Sequence, residues 1–241
     1  IAIITPSFAQ MLHFDQEPAF FLHRQPYKEN RYLIDIFTFN YGFFCAHAYI
    51  PQEKTHRKTN NYAPFRLFSF SGQRKGEFAS VRQAVLQYDL TPAPARLLNA
   101  HYLNEILLGM LPFDEPAPSV FIQYLHSLQQ ADESALRRLE YALLAHLGLF
   151  PEITQEASFY QLDFKGNNAI FVPSSSGYGK GSVEQLSSGV TDWESPEIRK
   201  LLQSLVRFHS GRRAHTKETA VALKSLLHGP SKSSLTKEKT Q

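Results

Sequence analysis

Between residues 19 and 90 apolar and polar positions alternate in short runs. The runs 19–23, 31–39, 42–50, 65–71 and 78–90 are rich in Phe, Tyr, Val and Ile, and Pro26, Asn30, Asn40, Gly42, Asn60, Asn61, Gly72 and Gly76 separate or interrupt them. Period two predicts strands. In the second run Leu33, Asp35, Phe37 and Phe39 share one face, with Tyr32, Ile34, Ile36 and Thr38 on the other. Five strands joined by short breaks and one longer polar loop over 52–63 have the size of a small closed barrel such as an OB-fold; strand count alone also admits an SH3-like barrel.

After Thr91-Pro92-Ala93-Pro94 the period becomes helical. Over 95–111, Leu98, Tyr102, Ile106 and Met110 recur every four residues, Leu103 and Leu107 widen the stripe, and Pro112 stops it. A second helix is predicted over 119–129. A third starts at 132–134, turns Leu136, Leu139, Leu143 and Leu147 inward and ends at Gly148. Residues 151–192 read as an irregular insert with a hairpin over 159–172 and a flexible Ser/Gly-rich loop over 174–181. Ser195-Pro196 marks the start of another helix, and a last one is expected over 216–227. The predicted fold class is β then α: a five-stranded OB-fold barrel followed by a helical bundle with an irregular insert. The expected domains are an N-terminal extension (1–16), the barrel (17–90), the helical domain (95–228) and a disordered basic tail (229–241).

Charge sharpens this outline. The net charge of +3 hides two basic segments. Residues 54–82 hold seven Lys or Arg against one Glu, and residues 207–241 hold eight against two Glu, so each carries +6 and the rest carries −9. Clustered cations on an acidic chain fit a polyanion such as a phosphate backbone, through counterion release; a merely solvated surface fits equally well on charge alone. Tyr62, Phe65, Arg66, Phe68, Phe70, Arg74 and Lys75 interleave rings and cations on one expected hairpin, a pattern suited to stacking bases, although period two also lets Phe68 and Phe70 be core.

Candidate chemistry is otherwise sparse. The single cysteine, Cys45, excludes an intramolecular disulfide and any zinc site built on several thiolates, and fits a reducing compartment. The ten histidines include no His-Glu-x-x-His pair. Gly177-Tyr178-Gly179-Lys180-Gly181 lacks the Gly and the Ser or Thr that a P-loop needs around its Gly-Lys. No Gly-x-Ser-x-Gly elbow occurs. No apolar run approaches the roughly 20 residues of a membrane span, and Ile1 to Ile4 are not preceded by basic residues, so neither a transmembrane helix nor a secretory signal is expected.

Three segments carry a family resemblance. Tyr102-Leu103-Asn104-Glu105-Ile106-Leu107, Phe121-Ile122-Gln123-Tyr124-Leu125 and the run from Ala135 through Arg137-Arg138-Leu139-Glu140-Tyr141 to Gly148 resemble the helical core of the RecO family of bacterial DNA repair proteins. Ala19-Phe20-Phe21-Leu22-His23 and Leu33-Ile34-Asp35-Ile36-Phe37-Thr38 are similar to its first barrel strands. The likeness covers about residues 17–228. It implies a non-enzymatic, cytoplasmic, nucleoid-associated recombination mediator without cofactors. Such a mediator binds single- and double-stranded DNA, anneals complementary strands, and works with RecR and the single-strand binding protein SSB to load RecA. Some members hold a four-cysteine zinc site in the insert; here the insert has no cysteine, so no metal is expected.

On this reading the DNA-binding candidates are Lys54, Arg57, Lys58, Arg66, Arg74, Lys75, Arg207, Arg212 and Arg213. For the acidic, apolar-ended tail of SSB, Arg137 and Arg138 are expected as a cationic lip and Leu143 and Leu147 as an apolar groove. An alternative of another class is a basic adaptor that grips acidic protein tails without acting on DNA.

Overall fold

The computed structural model describes residues 11–28, 31–49, 62–75 and 78–210. Its first half is a closed barrel of β1 (Leu12–Lys28), β2 (Arg31–Thr38), β3 (Gly42–Tyr49), β4 (Arg66–Lys75) and β5 (Phe78–Asp89), in the order β1-β2-β3-β5-β4. Neighbours are antiparallel except β3 and β5, which meet in parallel at Ala46↔Ala79 and His47↔Ser80. Alternation sends Phe21, Ile34, Ile36, Phe44, Phe68 and Phe70 into the barrel interior, each at most 2% exposed. Strand number and closure agree with the barrel expected from the sequence.

The barrel begins earlier than expected. Residues 12–16, assigned to an extension, belong to β1, where Leu12 pairs with Arg74 and Phe14 with Gly72. The polar run Asp15-Gln16-Glu17 hides this in the sequence. A bulge between Phe14 and Glu17, with Gln16 at φ 50°, absorbs the extra residue and returns Phe14 to the barrel interior. The buried Glu17 carboxylate accepts from the backbone N–H and Nδ2 of Asn40, which closes the β2–β3 turn.

A 3-10 turn (Pro94–Arg96) leads into α1 (Leu97–Met110), α2 (Pro118–Gln130) and α3 (Glu133–His146). Asp132 caps α3 by accepting from the Ala135 N–H at 2.8 Å. The bundle is not separate from the barrel. Phe20, Leu22, Phe37, Phe43 and Phe65 on the outer barrel surface share one core with the helices; Phe121 lies 5.0 Å from the Phe20 ring and 5.3 Å from that of Phe37. Each ring so buried contributes about 1.5–3 kcal/mol. Asn104 ties the halves together, donating to the Leu22 carbonyl of β1 at 3.0 Å while accepting from the Tyr124 hydroxyl.

The insert, expected to be irregular apart from a hairpin over 159–172, is ordered throughout, and the hairpin is present. Strands β6 (Glu152–Ile153), β7 (Phe159–Lys165), β8 (Asn168–Ser174) and β9 (Tyr178–Gly179) form a sheet in the order β6-β8-β7-β9, and α4 (Lys180–Ser188) follows. The expected Ser/Gly loop is therefore reduced to bends at 175–177, followed by the short β9 and the start of α4. Gly177 allows the chain to cross β7 closely, because a Cβ there would sit 2.3 Å from the Tyr160 carbonyl oxygen. Lys180 pairs with Glu156 at 2.5 Å and Glu184 at 3.7 Å, so its charge is locally answered. Helix α5 (Pro196–His209) completes the bundle, and the helix expected over 216–227 and the basic tail lie outside the described residues. Among the described residues no helix is long and apolar enough to cross a membrane.

Candidate nucleic-acid interface

The outer surface of the barrel has two unlike sides. Toward the bundle, Phe20, Phe37 and Phe43 are covered by helices and are 0–3% exposed. The β1–β2–β3 side with the start of β5 keeps rings in water: Tyr27 is 49% exposed, Tyr49 62% and Phe78 42%. Tyr27 is the penultimate residue of β1, His47 lies on β3, and Phe78 opens β5. The His47 ring is 5.2 Å from Tyr27 and 4.9 Å from Phe78, so the three make a continuous row. Exposed cations stand at its ends: Arg31 opens β2 opposite Tyr49, and Lys75 is the cross-strand partner of Phe78. Arg24, the register partner of the inward Ile34, lies on the other face of β1 with its guanidinium 5.7 Å from the Tyr32 ring centre. In barrels of the OB-fold type the face of strands 2 and 3, with the loops after strands 1 and 4, is where oligonucleotides bind.

The expected DNA-binding residues that fall among those described are not gathered in one place. Lys54, Arg57, Lys58, Arg212 and Arg213 lie outside the described residues. Arg66, at the far end of β4, pairs with Asp89 at 2.8 Å; the Thr91 hydroxyl and then Arg66 hold the Asp89 carboxyl below the usual carboxylate range. Arg74 makes a two-pronged ion pair with Asp114, which raises its guanidinium pKa further. Both charges are compensated internally. Lys75 is exposed beside the ring row, while Arg207 is exposed on the last turn of α5, away from the barrel strands. The ring-rich hairpin is corrected: Phe65, Phe68 and Phe70 are 0–3% exposed and cannot stack on a ligand. The exposed rings are not legible in the sequence because they sit on three separate strands, and only the barrel register brings them together.

The expected peptide groove on α3 is redrawn as well. Arg137 is 1% exposed and faces Glu140 at 2.7 Å, and Leu143 is fully buried, so neither forms a lip or a surface groove. The helical period explains it: positions 136, 139, 140 and 143 face the other helices, and 137 follows 140 inward. Leu147 is half-buried. Arg138 is exposed, with its guanidinium 5.7 Å from the Trp193 ring centre.

One cluster on the same barrel side unites a nucleophile, an acid and a base. His23 Nδ1 is 3.3 Å from the Asp35 carboxylate, and Asp35 is also hydrogen-bonded to Cys45 on the neighbouring strand. The order is wrong for nucleophilic catalysis, since the carboxylate rather than the imidazole contacts the thiol. Burial first, and the Asp35 charge second, push the Cys45 thiol up to about 11 and keep it protonated near neutrality. Among the described residues no group of three or more His, Cys, Asp or Glu gathers to hold a metal.

Comparison with known proteins joins these observations. Residues 11–88 match the family described as Recombination protein O N terminal, and residues 92–185 match Recombination protein O C terminal. The DNA repair protein RecO of Marinobacter nauticus is 33% identical over 144 residues, covering 55% of this chain and 58% of that protein. Those of Photobacterium profundum and Vibrio parahaemolyticus are 34% and 33% identical over 135 residues, covering 54% of this chain and 57% and 56% of theirs. The chain thus spans a little under three-fifths of the length of these relatives. With the barrel matched to one half of the family, and α1 through most of α4 to the other, the chain belongs to the RecO family.

Proposed function

We propose that this chain is a non-enzymatic DNA-binding mediator of repair and recombination. It holds single- and double-stranded DNA, brings complementary strands together, and helps a RecR-type partner place RecA on SSB-coated DNA. The observation that carries the reading is the barrel side formed by β1, β2, β3 and the start of β5, where Arg31 and Lys75 flank a row of exposed rings on the side that none of the described helices covers. Family membership supports the choice of DNA as the polyanion, since the relatives are named for DNA repair. Cations give binding and rings give a surface for bases, so annealing follows from holding two strands close together. Lys54, Arg57, Lys58, Arg207, Arg212 and Arg213 add phosphate contacts in this proposal, and Arg138 beside Trp193 is the remaining candidate for the SSB tail.

Fluorescence anisotropy with labelled DNA at several salt concentrations tests it. With about five phosphates contacted, the logarithm of the binding constant should fall against log salt with a slope of roughly −3.5 to −4.5. In parallel, the protein should accelerate annealing of SSB-coated complementary oligonucleotides. Binding to acidic peptides with no affinity for DNA would replace this reading by the adaptor.

A further inference from the structure

We infer that the Tyr27–His47–Phe78 row is the element that distinguishes unpaired from paired DNA. This rests on the proposed DNA-binding role of the same barrel side and adds the residues that select the form of the DNA. The argument begins with contrast. Phe20, Phe37 and Phe43, on the outer barrel side next to the bundle, are covered almost completely, as large rings on a folded protein ordinarily are. Tyr27 and Phe78 are 49% and 42% exposed and are joined through His47 by ring contacts of 5.2 and 4.9 Å, so the exposed aromatic surface is contiguous rather than scattered.

The geometry then narrows the occupant. The neighbouring ring planes are tilted by 47° and 46°, so the row does not fold into a closed stack, and its outer members keep 49% and 42% of their surface exposed. Arg31, the first residue of β2, and Lys75, the last of β4, stand at its two ends. A ligand with flat apolar faces along an anionic chain satisfies both features. In a duplex the base faces are already stacked on one another and only groove edges and phosphates are offered, so rings on a sheet find nothing to cover. An unpaired strand can turn its bases onto them while its phosphates run past the cations. The cations therefore serve both forms of DNA, and the rings serve only the unpaired one.

The test uses the full chain carrying Tyr27→Ala and Phe78→Ala together, with Tyr27→Trp as the conservative control. Both rings are largely exposed, so the thermal midpoint of the double variant should stay near that of the parent. Anisotropy titration with labelled oligothymidylate should show affinity reduced by about tenfold or more, while a hairpin duplex binds as before with an unchanged salt slope. Tyr27→Trp should keep single-strand affinity. Unchanged single-strand binding by the double variant, or an equal loss on duplex and single strand, overturns the selective role and leaves the DNA-binding reading standing. A parent protein that binds neither form overturns both.

Discussion

Cys45 shows how a reactive group is silenced by its neighbours. It is half-buried on β3, directly across from Asp35, and burial followed by the carboxylate's charge raises its thiol to about 11. Alkylation by iodoacetamide at pH 8 should therefore be far slower than that of a free thiol of pKa about 8.5, and its rate should climb until the pH reaches about 11. Asp35→Asn should speed it only modestly, because burial is the larger cause. A rate equal to that of free cysteine would contradict the placement of Cys45. The same shift has a stability consequence. A folded-state value raised above the unfolded one favours the native protein below the unfolded value, and that advantage is lost as pH rises from about 9 to about 11.

At the scale of elements, α3 is fixed by a buried ion pair as well as by its leucines. Arg137 and Glu140 sit one turn apart, 1% and 0% exposed, and the Tyr102 hydroxyl of α1 donates to the Glu140 carboxylate. Burial, then the Glu140 charge, raise the Tyr102 hydroxyl well above its ordinary range, so it stays a donor. Removing one member strands the other in the core. Arg137→Met alone should cost about 3–5 kcal/mol in urea unfolding, whereas Arg137→Met with Glu140→Leu should recover much of the loss. A double variant as unstable as the single one would show that the pair stabilises more than apolar packing of the same site. Helix α4 makes the complementary point. Lys180-Gly181-Ser182 is a poor helix start, yet Val183 and Leu186 are 2% exposed in the shared core. Glu197 of α5 accepts from the Gly179 N–H at 2.6 Å and the Ser182 hydroxyl at 2.5 Å. Tertiary contacts hold this helix where propensity does not.

Across the whole molecule, barrel and bundle unfold as parts of one core. Phe20 and Phe37 of the barrel lie among α2 side chains, and Asn104 of α1 links the Leu22 carbonyl to the Tyr124 hydroxyl with all three residues buried. Asn104→Ala leaves a buried carbonyl and a buried hydroxyl unpaired, at about 1–3 kcal/mol for each group. Calorimetry should then show a single transition lowered by roughly 2–4 °C for each kcal/mol lost, in keeping with a chain of this size. Two separated transitions, with only the helical one shifted, would show that the halves fold independently.

Much of this arrangement was readable from residue order. Alternation in residues 31–39 put Ile34 and Ile36 on one strand face, the face that the structure turns into the barrel, and the four-residue recurrence from Leu98 to Met110 gave α1, because local period groups the residues of one face whatever lies against it. The class of the chain was legible for the same reason, while its family resemblance lay in particular residue runs such as those from Tyr102 to Leu107 and from Ala135 to Gly148. Three features were decided only by tertiary structure. Arg137 looked like a surface cation, since a sequence does not show that Glu140 and Tyr102 meet it in the core. Phe14 was masked by a polar run that a bulge absorbs. Tyr27, His47 and Phe78 are distant in sequence and are joined only by barrel closure, which also determines that the bundle covers the other side and leaves these rings in water. Local pattern specifies which residues prefer burial, but the order and register of strands decide which of them find cover.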